Sequence, residues 1–196
     1  IHTGGGGFAA RAIVARFGGA IAPGDVFLLN DPYAAGGNHL PDWVIARPVF
    51  VGDEHLGFAC NRAHQSDIGG GAAGTYNPQA TEIFHEGLRL PVMKLVEAEM
   101  VREDLWELLK LNCRTPDLLD GDLRAMLGST RIGAERVAAL AEELGTDQAR
   151  ACFAGILDYA EARFRAVIRD LPDGTYRGED RTDNDCFGPA EIVTRV

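Results

Sequence analysis

Two histidine and aspartate pairs share one spacing, His39-x-x-Asp42 and His64-x-x-Asp67. Neutral imidazoles and carboxylates are the groups that borderline divalent cations take, and two imidazoles with one carboxylate would suit Zn, Mn or Fe while leaving positions open for water or substrate. The same side chains can equally hydrogen-bond loop backbone, and the spacing alone does not choose between the two. Around them lie Asn30-Asp31-Pro32-Tyr33, Gly36-Gly37-Asn38 and Asn61-Arg62-Ala63, with Gly69-Gly70 following, so backbone can crowd whatever binds there. Arg62 and Arg89 could grip an anionic group or pair with neighbouring carboxylates. Glu82, His85 and Glu86 share one face of a predicted helical turn. Glu-x-x-His occurs in two-metal bundles, but such sites need a second copy that this chain lacks.

What must position these residues is a hairpin. Trp43 to Val51 and Leu56 to Arg62 are apolar runs flanking Gly52-Asp53-Glu54, with Pro48 marking an edge or a bulge. A three-residue connection pairs Asp42 with His64, and a two-residue connection pairs Asp42 with Gln65. Either register brings the two ends of the ribbon, and so the two histidine segments, together.

The remaining elements follow from periodicity. Gly4 to Gly7 precede a helix over Phe8 to Phe17; no strand comes before them and no Gly-Lys-Ser/Thr after, so neither nucleotide fingerprint is met. Val26 to Leu29 reads as a short buried strand. Thr115-Pro116 has the form of a helix N-cap followed by proline at the first helical position. Leu119, Leu123, Met126, Thr130, Gly133, Val137, Leu140 and Leu144 then make the stripe of a long helix ending at Gly145, where Gly128, Ser129 and Gly133 would admit a close backbone. A second helix from Thr146 carries Phe153, Ile156, Leu157, Ala160, Phe164, Val167 and Leu171, and the two are expected to form a helical hairpin. Pro172-Asp173-Gly174 is a predicted turn before strands at Thr175 to Arg177 and Glu191 to Val196, and Asp183-Asn184-Asp185 reads as a further turn. The expected class is α+β, with a mixed sheet and hairpin in the first half and the helical hairpin in the second. It forms one domain over residues 1–196 whose two ends read as cut.

Composition narrows the function. The 196 residues carry 19 basic and 29 acidic side chains, for a net charge of -10, which argues against nucleic acid as a partner. No basic run would attract an anionic membrane, no apolar stretch is long enough to span one, and no signal pattern opens the chain, so the expectation is a cytoplasmic protein. Cys60, Cys113, Cys152 and Cys186 show no Cys-x-x-Cys spacing and are expected as isolated buried thiols. All five histidines, and 16 of the 24 glycines, precede residue 101, which places the chemistry in the first half.

Gly24-Asp25-Val26-Phe27-Leu28-Leu29-Asn30-Asp31-Pro32-Tyr33, Gly36-Gly37-Asn38-His39-Leu40-Pro41-Asp42 and Asn61-Arg62-Ala63-His64 through Asp67-Ile68-Gly69-Gly70 resemble the hydantoinase B/oxoprolinase family. So do Ala80 to Pro91, Asn112-Cys113-Arg114-Thr115-Pro116, Gly121 to Ala125 and Leu171 to Arg177, in the same order. The resemblance implies a hetero-oligomer in which a hydantoinase A-type partner binds ATP and phosphorylates a carbonyl oxygen. The B-type chain then completes the reaction at a divalent metal, Zn or Mn, on a lactam, imide or ketone. It further implies His39, Asp42 and His64 as metal ligands and Asp31 and Asp67 as candidates for the base or for groups supporting the ligands; by residue type and position, Arg62, Glu82 and Arg89 are the expected substrate contacts. Three functions are expected in order: hydrolysis of a cyclic amide, carboxylation of a ketone, and a non-catalytic assembly role.

Overall fold

The computed structural model describes residues 5–182 and 192–195. Gly4, the Asp183-Asn184-Asp185 turn, Cys186 and the outer residues of the last expected strand, Glu191 and Val196, lie outside the described residues. Two compact units divide the chain, residues 1–146 and 147–196.

The first unit is built on a five-stranded sheet in the order β3-β2-β1-β4-β5, from β1 (Val26–Leu29), β2 (Asp42–Val51), β3 (Glu54–His64), β4 (Met93–Glu97) and β5 (Met100–Val101). Every pairing in it is antiparallel, so the sheet is simpler than the mixed one expected. Helix α1 (Gly5–Phe17) covers one face: Ala9 and Ile13 pack with Phe27, Leu29, Val44 and Ala46. The opposite face meets α3 (Glu103–Leu111) and α4 (Pro116–Leu144), where Trp106, Leu109, Leu119, Leu123 and Met126 pack with Val26, Leu28, Trp43 and Ile45. Because β1 is covered on both sides, its four residues form an unbroken apolar run instead of alternating. Each fully buried Leu or Ile of these layers contributes about 1.5–3 kcal/mol.

The hairpin reaches its register by an unexpected route. The turn is Gly52-Asp53, closed by Val51 opposite Glu54, and on its own would place Asp42 opposite Ala63. A bulge next to Phe50 adds one residue to β3 and restores Asp42 opposite His64. Pro48 lies where β2 has outrun β1, whose pairing stops at Ala46, so its missing N–H costs no ladder bond on that side.

Helix α4 is anchored by polar contacts as well as by its apolar stripe. Asn61 of β3 donates to the Met126 carbonyl at 3.0 Å and to the Ser129 hydroxyl, and a Cβ on Gly133 would meet Ala59 at 3.4 Å, so the strand is the close backbone that the small residues admit. The stripe drifts beyond Thr130: Ala134 and Ala141 are buried, whereas Leu140 and Leu144 are exposed. Thr115 occupies the N-cap position without a capping bond; its hydroxyl instead meets Ser66 Oγ at 3.2 Å. The hairpin of β4 and β5 turns through Ala98 and Glu99, both at positive φ, held by the Ala98 amide on Asp25 Oδ1 (3.2 Å) and the Glu99 amide on the Gly24 carbonyl (3.0 Å).

The second unit contains α5 (Thr146–Arg169) and a ribbon of β6 (Glu179–Thr182) with β7 (Ile192–Arg195). The predicted stripe of α5 is exposed at Phe153, Ile156, Leu157, Phe164 and Val167. Thr175 to Arg177 do not form the expected strand; there Tyr176 donates its hydroxyl to the Pro172 carbonyl at 2.5 Å. Of the described cysteines only Cys113 is buried; Cys60 lies on the edge strand β3 and Cys152 on the exposed surface of α5. No described helix is long and apolar enough to cross a membrane.

Candidate metal centre

At the open end of the β2–β3 ribbon, Asp42 is the first residue of β2 and His64, its direct cross-strand partner, the last of β3. His64 Nδ1 stands 3.2 Å from Asp42 Oδ1, and His39 Nε2 stands 3.1 Å from Asp42 Oδ2. The carboxylate is buried, at 1% side-chain exposure, while the imidazoles remain open at 26% for His39 and 36% for His64. Their rings lie 5.0 Å apart, and one ligand atom from each of the three residues lies within 4.8 Å of the others. A buried anion between two partly open imidazoles is a donor set that fits a Zn- or Mn-like cation with room for a further ligand.

His39 is held by the segment before β2. Asn30, buried at the end of β1, donates to the carbonyls of Leu40 (2.8 Å) and Leu88 (2.7 Å) and accepts from the Leu90 amide at 2.6 Å. This one side chain ties the His39 segment to residues 88–90. Helix α2 (Pro32–Ala35) closes the loop, capped by Asp31 accepting from the Tyr33 amide and ended by Gly36 at φ 64. A Cβ at Gly36 would lie 2.7 Å from the Phe8 ring, so α1 packs against it closely.

The other expected site residues fall in separate places. Asp31 pairs with Arg89 at 3.0 Å, and that guanidinium lies 5.2 Å from the Tyr33 ring centroid. Glu82 pairs with His85 at 3.3 Å across a short 3-10 turn, Ile83–His85, not a full helical face. Glu82 also lines, with His39, Tyr33, Asn38 and Glu86, an open cleft of about 510 Å³. Arg62 makes no ion pair among the described residues. It follows the alternation of β3 onto the same face as His64, and a Cβ at Gly5 would come within 2.8 Å of its Nη1.

Asp67 is committed elsewhere. Its Oδ1 accepts from the amides of Gly69 and Arg114, each at 3.0 Å, and its Oδ2 from the Gly74 amide and Arg114 Nη1, each at 3.1 Å. Burial alone would raise its pKa; the Arg114 amide, the Gly69 amide, the Arg114 guanidinium and the Gly74 amide outweigh that and hold the carboxyl below its ordinary value. A carboxylate so engaged is a poor proton acceptor. Sequence reasoning assigned no role to Thr75, whose hydroxyl bonds His64 Nε2, to Tyr76, whose ring stacks on His64 at 5.6 Å and 22°, or to Arg114. Of the three, Arg114 lies in a family-like segment, Asn112 to Pro116; the glycine-rich run before Thr75 gives no spacing signal.

A family model for hydantoinase B/oxoprolinase matches residues 1–196. The chain belongs to this family. It is 38% identical over 184 residues to the caprolactamase subunit beta of Pseudomonas jessenii, covering 94% of this chain and 32% of the relative. The crystal structure of the ATP-dependent caprolactamase from that organism matches with a TM-score of 0.81 at 38% identity, over 91% of this chain and 31% of that one. The acetophenone carboxylase delta subunit of Aromatoleum aromaticum is 31% identical, over 85% of this chain and 24% of the relative. The chain thus spans between about a quarter and a third of the length of these relatives.

Proposed function

We propose that this chain forms the metal-dependent part of an ATP-dependent cyclic amide hydrolase, completing ring opening of a substrate phosphorylated by a hydantoinase A-type partner. The observation that supports it is the convergence of His39, Asp42 and His64, in a fold shared with an ATP-dependent caprolactamase. These three residues would hold a divalent cation, which when bound supplies Lewis acidity to the scissile carbonyl and to an attacking water.

The chain's own groups supply the rest. Arg62, without a carboxylate partner among the described residues and on the His64 face of β3, is suited to gripping the phosphoryl group as a planar fork. Asp31 is the candidate base by its position, since Arg89 holds it at the head of α2, whose Pro32 and Tyr33 line the cleft beside His39. Glu82 faces that cleft as a substrate contact.

Replacing His39 by Ala in the complete protein with its partner should abolish lactam-dependent turnover and lower the bound metal measured by elemental analysis, while the partner still binds nucleotide. Full activity in that variant would remove His39 from the mechanism. The likeness to an acetophenone carboxylase subunit favours a second reading, carboxylation of a ketone at the same residues. Labelled bicarbonate appearing in product would decide for it.

A further inference from the structure

The loop between His64 and Tyr76 is pinned along its length. Arg114 Nη1 donates to the carbonyls of Gly69 and Ala72, each at 3.1 Å, and Nη2 to that of Gly70 at 2.8 Å, while Asp67 takes the Gly74 amide. The Gly71 amide donates to the His85 carbonyl at 2.9 Å, and a Cβ on Gly70, at φ +80, would lie 2.6 Å from that same oxygen. The residue after this clasped stretch is Thr75, with its hydroxyl on His64 Nε2, while His64 Nδ1 faces Asp42.

We propose that Thr75, delivered by the Asp67–Arg114 clasp, is the positioning residue that fixes the ring plane of His64 so that its Nδ1 faces Asp42 and His39. This rests on the metal reading of the same site. A hydroxyl is suited to both conditions of the ring, because it donates as well as accepts. When Nδ1–H donates to Asp42, the Thr75 hydroxyl donates to Nε2; when Nδ1 gives its lone pair to a cation, Nε2 carries the proton and the hydroxyl accepts it. A partner on the distal nitrogen of a ligating histidine sets orientation and basicity, and its removal typically costs 10–100-fold in metal affinity. Tyr76, stacked on the same imidazole, closes one face of the ring and limits its rotation.

The test compares Thr75→Val, which keeps the shape and loses the hydroxyl, with Thr75→Ser, which keeps the hydroxyl. Two readouts are taken on the complete protein: Co²⁺ affinity by visible absorption, and the ¹⁵N resonance of His64 Nε2 in metal-free, histidine-labelled protein at alkaline pH, assigned with His64→Gln. The expected result is a loss of affinity of about 10–100-fold and a moved resonance in Thr75→Val, with both restored in Thr75→Ser. Wild-type affinity and an unmoved resonance in Thr75→Val overturn the proposal, as does equal loss in both variants. Should the wild type bind no Co²⁺, the metal reading falls, and the resonance comparison still judges the role of Thr75.

Discussion

Asp42 and Asp67 each close a His-x-x-Asp sequence, and each is about 2% exposed, yet their surroundings are opposite. Asp42 meets two imidazoles, one from its own segment and one from across the ribbon. Asp67 meets three amides and a guanidinium, all donors that belong to the fold. Burying a carboxylate is costly unless its charge is compensated, and the two positions meet that cost differently. Permanent donors make Asp67 a fastening. Imidazoles, whose lone pairs can turn to a cation, make Asp42 the member of the pair suited to the proposed metal site.

The largest effect should come from Asp42. Asp42→Asn keeps the shape and removes the one negative charge of the three-residue set, so metal affinity should fall by at least about 100-fold, the upper end of what losing even a supporting group costs. Lactam turnover should vanish while urea unfolding changes little. Retained metal in Asp42→Asn would erase the distinction between the two aspartates. In Asp67→Asn the order reverses: an amide nitrogen would confront N–H donors at a buried position, with an expected loss of about 3 kcal/mol in urea unfolding. Metal affinity should suffer less than in Asp42→Asn, because the ligands themselves are intact. A smaller effect belongs to Arg114→Lys, which keeps the charge and loses the fork that reaches Asp67 and the Gly69, Gly70 and Ala72 carbonyls. About 1–2 kcal/mol is expected, and an unchanged unfolding midpoint would mean that the loop does not need its clasp.

The same contrast explains what the sequence could reveal. The strand Val26–Leu29 was legible because an apolar run is a local property, and so was the convergence of the two histidine segments at the open end of the ribbon, with Asp42 opposite His64 as one of two expected registers. The bulge next to Phe50 was not, although the final register depends on it. The hairpin at Ala98 and Glu99 escaped notice because neither residue carries the glycine or asparagine expected at positive φ; Asp25 and Gly24, some 73 residues earlier, hold it instead. Asp67 looked as reactive as Asp42 for the same reason, since its deciding partner Arg114 is 47 residues away. Residue type and spacing identify groups that could react, and long-range donors decide which are free to do so.

The smallest expected effect is also the most specific to the clasp, and it lies in acid. The folded pKa of Asp67 is lowered from its ordinary value of 3.8, so the unfolded chain takes up the proton first as pH falls. Its contribution is therefore complete above about pH 5, and it is lost as pH drops below the ordinary value and through the lowered one. Other carboxylates titrate in the same range, but the gap in urea midpoint between wild type and Asp67→Asn cancels those that do not touch the clasp. That gap should stay level from neutral pH to about pH 5 and narrow below about pH 4. A gap that persists unchanged into strong acid would mean that shape, and not charge, accounts for the loss in Asp67→Asn, and the electrostatic half of the contrast with Asp42 would fail.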